Sequence, residues 1–368
     1  MSGNPISNYL GNRISKAMKI LAIDTSCDDT AISVMEIPNP KSQIPKFRIL
    51  SNVVSSQVKL HAKYGGVYPS LAKREHQRNL PLVLKRALRG PASQARPDLI
   101  AVTVGPGLEP CLWQGINFAK ELAEKLKKPL ILVNHIEAHI AANFIGKSQI
   151  SNLKSQIFPA VCLVVSGGHT QLILMKGVGK YKLLGETRDD AAGECFDKTA
   201  RLLGLGYPGG PVIAREAAKF QIPNSKFQIK LPRPMMYTKD YDFSFSGLKT
   251  AVLYKVRELK TTNYKLKAEF CYEIQQAIID VLIHKTLKAA RDFGAKSIIL
   301  GGGVAANEEL RRQFNYQLKT KNYQLNFLVP PKNLCTDNAA MVAVAAYFNR
   351  KKASRNWKNI KADGNLKI

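Results

Sequence analysis

Regular hydrophobic patterning begins at Met18, and residues 1–17 predict a flexible extension. Met18-Lys19-Ile20-Leu21-Ala22-Ile23-Asp24 is an apolar run that closes on the polar residues Thr25 to Asp29, and 30–37 is a second apolar run. Both predict strands, with a tight turn between them. Pro129-Leu130-Ile131-Leu132-Val133 predicts a buried strand that gives way to a helix. Apolar positions at helical spacing predict amphipathic helices over 74–88, 193–203 and 268–293. The stretch 337–348 is rich in Ala and Val on all sides, as a buried helix would be.

The first hairpin recurs 140 positions later. Ser26-Cys27-Asp28-Asp29-Thr30 aligns with Ser166-Gly167-Gly168-His169-Thr170, and Met35 with Met175 (26, 30 and 35 plus 140 give 166, 170 and 175). A second correspondence follows. Residues 98–104 enter Gly105-Pro106-Gly107 and then a predicted helix over 111–127, while 297–300 enter Gly301-Gly302-Gly303 and then a predicted helix over 307–318. Like patterns at long offsets predict a duplicated α/β chain. Strand, glycine turn and helix also make a phosphate cradle, because glycine lets backbone N–H groups approach a ligand. Glycine serves tight strand-to-helix turns for steric reasons too, so each turn alone carries little weight.

Composition narrows the partners. Lys plus Arg is 55 against 27 acids, a net charge of +28, which favours a polyanion through phosphate contacts and counterion release. A solvated basic surface is the plainer reading of the same excess. Six scattered cysteines with no Cys-x-x-Cys pair fit reduced thiols in a cytoplasm. No apolar run is long enough to span a bilayer, and the first residues lack a signal peptide's apolar stretch. Lys-Ser-Gln-Ile recurs at 41–44, 147–150 and 154–157 and reads as loop padding. The stretch 350–368 is basic and predicts a mobile tail.

His135-Ile136-Glu137-Ala138-His139 is the segment richest in chemistry. Histidines four apart share a helix face and can grip one metal ion. Glu137 is turned roughly 200° from His135 on a 3.6-residue wheel. That spacing differs from a zinc-protease His-Glu-x-x-His helix, where the acid adjoins the first ligand, and it counts against peptidase chemistry. Two histidines sharing a helix by chance is the competing reading.

Taken together the motifs resemble one family. They are Asp24-Thr25-Ser26-Cys27-Asp28, Tyr64-Gly65-Gly66-Val67-Tyr68-Pro69, Gly105-Pro106-Gly107-Leu108, Asn134-His135-Ile136-Glu137-Ala138-His139 and Val165-Ser166-Gly167-Gly168-His169-Thr170. They continue as Asp189-Asp190-Ala191-Ala192-Gly193-Glu194, Phe196-Asp197-Lys198, Tyr207-Pro208-Gly209-Gly210-Pro211, Phe245-Ser246-Gly247-Leu248-Lys249, Gly301-Gly302-Gly303-Val304-Ala305-Ala306-Asn307 and Thr336-Asp337-Asn338. In this order they resemble the tRNA N6-adenosine threonylcarbamoyltransferases, in their bacterial TsaD form. The resemblance implies an α/β, duplicated actin/hexokinase/Hsp70-like (ASKHA) fold of two lobes with an interlobe cleft. Lobe I would span 18–145, completed by the helix at 337–348, and lobe II would span 158–335.

The resemblance also implies roles. His135, His139 and Asp337 are the implied ligands of one divalent metal, iron(II) or else zinc; Asp337 read alone would be a helix N-cap. Val165, Ser166, Gly167, Gly168, His169, Asp197, Gly210 and Asn307 are the implied substrate contacts, Asn307 otherwise being an N-cap. The implied reaction moves the threonylcarbamoyl group from threonylcarbamoyl-AMP to N6 of the adenosine 3′ of the anticodon, in tRNAs reading A-starting codons. Asp28 is a candidate base for the attacking amine or a turn residue bonded to its own backbone. Implied partners are tRNA and TsaB-like and TsaE-like proteins, with a cytoplasmic location and no membrane. Glu109, beside the first glycine turn, departs from the family's usual small or apolar residue, as do insertions at 145–157 and 221–233. A kinase or ATPase of the same fold would use the glycine turns without the histidine pair. A non-catalytic partner paralogue would be expected to lose that pair.

Overall fold

The apolar run at 18–24 forms β1 (Met18–Asp24), and the polar turn after it lets the chain return antiparallel as β2 (Asp29–Ile37), then β3 (Arg48–Ser56). The computed structural model describes residues 17–40, 45–146, 156–220, 229–259, 264–320, 324–357 and 359–368. The extension at 1–16 and most of the insertion residues at 41–44, 147–155 and 221–228 lie outside these. Helix α1 (Pro69–Ala87) starts five residues before the predicted 74, with Pro69 in the first turn, where a missing N–H costs nothing. Next come β4 (Leu99–Gly105), α2 (Glu109–Leu126), β5 (Leu130–Asn134) and α3 (His135–Ala141).

β1 to β5 make one mixed sheet in the order β3-β2-β1-β4-β5, with β1, β4 and β5 parallel. β1 and β4 are buried on both faces, which explains their unbroken apolar sequence. Leu80 and Val83 of α1 and Leu112 and Ile116 of α2 pack on one face with Leu21, Ile23, Ile100 and Val102.

The second half repeats this plan. β6 (Ala160–Val165), β7 (Thr170–Gly177) and β8 (Lys180–Glu186) form an antiparallel meander. After them come α4 (Ala192–Leu202), α5 (Gly209–Ala217), α6 (Ser246–Leu259), α7 (Tyr264–Asp292), β9 (Ser297–Gly301), α8 (Glu308–Thr320) and β10 (Asn326–Leu328). The sheet order β10-β9-β6-β7-β8 is the first order read from the other end, with β9 again parallel to β6. Even the register is shared. Ile20 faces Met35, and Ala160 faces Met175 (20 and 35 plus 140 give 160 and 175). The chain is therefore a duplicated α/β structure.

The chain divides into two compact units. One holds the described residues up to Gln57 together with Val67–Gln156 and Asp337–Ile368; the other holds Val58–Gly66 and Ile157–Thr336. Re-entry into the first unit at Asp337 leads into α9 (Ala339–Phe348), whose residues up to Ala346 are wholly buried against β1, β2 and α3.

Two expectations are corrected here. The stretch 350–368 is expected to be mobile; its described residues, 350–357 and 359–368, form a strap along the first unit. Ser354 bridges Leu130, Asp363 donates its N–H to Val104 O (2.9 Å), and Trp357, Ile360, Ala362 and Leu366 pack against the core. Four apolar side chains among the lysines supply the burial that a charge-based reading misses. The first glycine turn, read as a possible phosphate cradle, is taken up by the chain itself: Gly107 donates to Gly364 O of the strap at 3.1 Å, and Leu108 donates to Ser26 O of the β1–β2 turn at 2.8 Å. Glu109 then opens α2 with Pro110 behind it, so an acid and a residue without N–H stand where anion donors would be needed. Ending the chain after Ser354 is expected to cost about 2 kcal/mol or more of stability, read as a lowered melting temperature. An unchanged melt would show the strap to be dispensable packing.

Candidate metal centre

β5 ends at Asn134, whose side-chain Oδ1 accepts from the N–H groups of Ile136 (2.9 Å) and Glu137 (3.1 Å). This cap starts α3 immediately, so His135 is its first residue and His139 lies one turn on. The two Nε2 atoms come within 3.1 Å of each other. Asp337, two residues before α9, brings Oδ1 to 3.5 Å from Nε2 of His135 and 3.3 Å from that of His139. The three residues thus form a group able to hold one metal ion. Donor atoms this close are spaced as they are when they share a cation about 2 Å from each. The imidazoles are buried, while the Asp337 side chain keeps 22% of its exposure, which leaves one side of the group open.

Electrostatics favour a positive charge at this point. Asp24, at the end of β1, is wholly buried with its Oδ2 3.7 Å from Nδ1 of His135. That is too far for a hydrogen bond, and Asp24 Oδ2, His135 Nδ1 and His139 Nδ1 have no hydrogen-bond partner. Burial raises the Asp24 pKa, with His135 opposing and Asp337 adding to the rise. Burial works against a charged His135, but Asp337 and Asp24 outweigh it and raise its pKa to about 9. His139 is lowered by burial and then by its charged neighbour. Burial would raise Asp337, yet the histidines hold it well below the usual carboxylate range. Without metal, a proton on His135 supplies the charge that buried Asp24 and half-buried Asp337 favour. The donor set and this demand both fit a divalent cation.

The β1–β2 turn lies beside the group. Burial pushes Asp29 to about 7, after which a Ser56 hydrogen bond opposes and Asp337 adds to the rise. Asp28, half-buried in the same turn, is not one of the three donors; its backbone carbonyl accepts from the Gln57 N–H at 3.1 Å.

The implied substrate residues all fall in the second unit. Ser166 and His169 close a turn in which Ser166 N–H donates to His169 O (2.8 Å) and His169 N–H to Ser166 Oγ (3.1 Å). The turn is held from behind by glycines. Gly302 has φ +88°, and a Cβ there would lie 2.3 Å from Val165 O; one on Gly193 would lie 2.5 Å from Ser166 O. Gly167 and Gly168 are exposed, with nothing within 4 Å of where their Cβ would be, so they leave room for a ligand. Asp197, on α4, accepts from the Gly209 N–H at 2.6 Å and so ties α4 to the start of α5, where Gly210 sits. Asn307 is a working N-cap: its Oδ1 accepts from Leu310 N–H (2.9 Å) and its Nδ2 donates to Gln275 (2.8 Å).

A family model described as TsaD, tRNA N6-adenosine threonylcarbamoyltransferase, matches residues 48–344. The protein of that name from Thermosipho africanus is 46% identical over 352 residues, covering 95% of this chain and all of the relative. Its namesake from Thermosipho melanesiensis is 48% identical over 335 residues, covering 90% and 94%. The chain belongs to this family. A crystal structure of full-length HypF in its phosphate- and nucleotide-bound form aligns with 92% of the chain at TM-score 0.55 and 11% identity, a likeness of fold alone. This chain spans about half of that protein (47%).

Within this TsaD chain, Asp24 is the site residue that sequence reasoning passed over. Its signal was an acid closing an otherwise apolar central strand, a position that stays buried only for a reason. Among the described residues no helix is long and apolar enough to cross a membrane.

Two outcomes are expected. Metal uptake should release about one proton at neutral pH, since metal displaces the proton held by a group with pKa about 9. Apparent zinc affinity should therefore rise with pH up to about 9 and then level off, as read by chelator competition; a flat profile from pH 6.5 to 9 would contradict it. Gly302→Ala should cost about 2 kcal/mol or more of stability, while Gly167→Ala should stay within about 0.5 kcal/mol of the parent in chemical denaturation.

Proposed function

We propose that this chain transfers the threonylcarbamoyl group from threonylcarbamoyl-AMP to N6 of the adenosine 3′ of the anticodon, in tRNAs that read A-starting codons. Membership of the TsaD family supports the reaction, and the converging donors of His135, His139 and Asp337 carry the reading of a metal-dependent site. Iron(II) is the proposed metal, with zinc the other ion that two imidazoles and a carboxylate accept. A cation held there would supply Lewis-acid polarisation of the transferred carbonyl, which a weakly nucleophilic adenine amine needs.

The chain's own residues do the rest. Within the turn Val165-Ser166-Gly167-Gly168-His169, the Gly167 and Gly168 N–H groups and the Ser166 hydroxyl proton are offered to the acyl-phosphate, over the open face of the two exposed glycines. Asp197 accepts from ribose hydroxyls, and Gly210 and Asn307 line the approach of the nucleoside. Asp28 takes the proton lost by the amine or orients it. AMP leaves, so the step itself spends no ATP. The net charge of +28 draws the tRNA backbone, and the unstacked anticodon loop presents its base. TsaB-like and TsaE-like proteins are the proposed partners, in the cytoplasm. A kinase or ATPase reading loses support because the first glycine turn is occupied by the chain's own backbone.

Purified protein given threonylcarbamoyl-AMP, iron(II), tRNA and its cellular partners should produce the modified nucleoside, detected by mass spectrometry of digested tRNA. His139→Ala should lose both bound metal and turnover. A His139→Ala protein that modifies tRNA at the parental rate would remove the metal from the mechanism.

A further inference from the structure

Glu137 has no part in the chemistry just described, although it sits between the two histidines. Its Oε1 accepts from Nδ2 of Asn349 at 2.8 Å. Asn349 is the C-cap of α9, and the same Nδ2 also donates to Ala345 O at 3.2 Å. Thus the helix that carries His135 and His139 is tied to the helix that begins two residues after Asp337.

We propose that Glu137 is a positioning residue, whose hydrogen bond to Asn349 sets α3 against α9 so that the three ligand atoms converge. This rests on the metal reading above. The need for such a tie follows from α9 itself. Its sequence Ala339-Ala340-Met341-Val342-Ala343-Val344-Ala345-Ala346 presents mostly small side chains, all buried. Small residues allow close approach but offer little interdigitation to resist sliding or rotation. Side-chain volume therefore sets the spacing of α3 and α9 more firmly than their register. Asn338 caps α9, its side chain accepting from Met341 N–H at 3.1 Å, and so holds Asp337 to the start of the helix. At the other end Phe348 meets Phe144 edge-on at 5.5 Å, and the Glu137–Asn349 bond adds the directional constraint. A shift of α9 along α3 would carry Asp337 away from the Nε2 pair, because ligand and helix are separated by Asn338 alone.

The test compares Glu137→Gln, Glu137→Ala and Asn349→Ala in the full chain, with zinc as the probe. Gln keeps an acceptor for the Asn349 N–H but removes the charge and any capacity as a base. Glu137→Gln should therefore hold zinc as the parent does, whereas Glu137→Ala and Asn349→Ala should each bind about 10-fold or more weakly. The double alanine variant should be no worse than either single one. Cobalt(II) spectra of the alanine variants should show altered coordination, which a general loss of stability would not produce. If Glu137→Gln is as weak as Glu137→Ala, charge is what matters and the positioning role is overturned. Parental zinc affinity in Glu137→Ala would overturn it too. A parent chain that retains no metal would overturn the metal reading, and this role with it.

Discussion

A buried carboxylate, Asp24, and a half-buried one, Asp337, beside two buried imidazoles set the terms for the first unit. Asp24 and Asp337 cannot both stay charged in such surroundings unless something positive lies between them, since an uncompensated enclosed charge is among the costliest features a fold can carry. In the bare chain Asp337 and Asp24 raise the pKa of His135 and so favour a proton there. The groups come from distant parts of the sequence: the end of β1, the start of α3, and the residue at which the chain re-enters the unit before α9. Each is placed by an ordinary local device, a strand end or a helix cap, and their meeting is a property of the sheet order rather than of any single segment.

That order explains why the site falls where it does. β1, β4 and β5 run parallel, so their C-terminal ends lie on one edge of the sheet. Asp24 ends one of these strands and Asn134 ends another. α/β sheets gather their functional groups at this edge because helix starts and turns collect there. In the second unit the same edge carries the Ser166 turn and the Gly301–Gly303 turn, which follow β6 and β9. Duplication has given each unit the same rim, and different side chains have been placed upon it.

Much of this was legible in the sequence. The 140-residue offset read from two hairpins holds in the hydrogen-bonded register, and the near-continuous burial of these strands made their apolar runs visible. The histidine spacing told of a shared helix face, and the family motifs added Asp337. Hidden from the sequence were β3, β8 and β10. β3 and β8 lie at sheet edges with half-exposed side chains, and β10 is only three residues long, so none shows a distinctive apolar run. Helices α5 and α6 were missed as well, and each buries only two or three positions fully. Asp24 was visible as a letter but not as a neighbour of His135, since nothing local to either residue announces the other. The strap beyond α9 was misread because lysines dominate its composition, whereas Trp357 and Leu366 decide where it goes.

That strap breaks the symmetry of the two halves. A doubled plan places a glycine turn after β4 and another after β9. One of them is stoppered by Asp363 and Gly364, whose backbone takes up the space and the donors that a guest would need. The second turn, Gly301 to Gly303, lacks such a plug among the described residues, so the repeated halves are alike in sheet and register but differ at this rim.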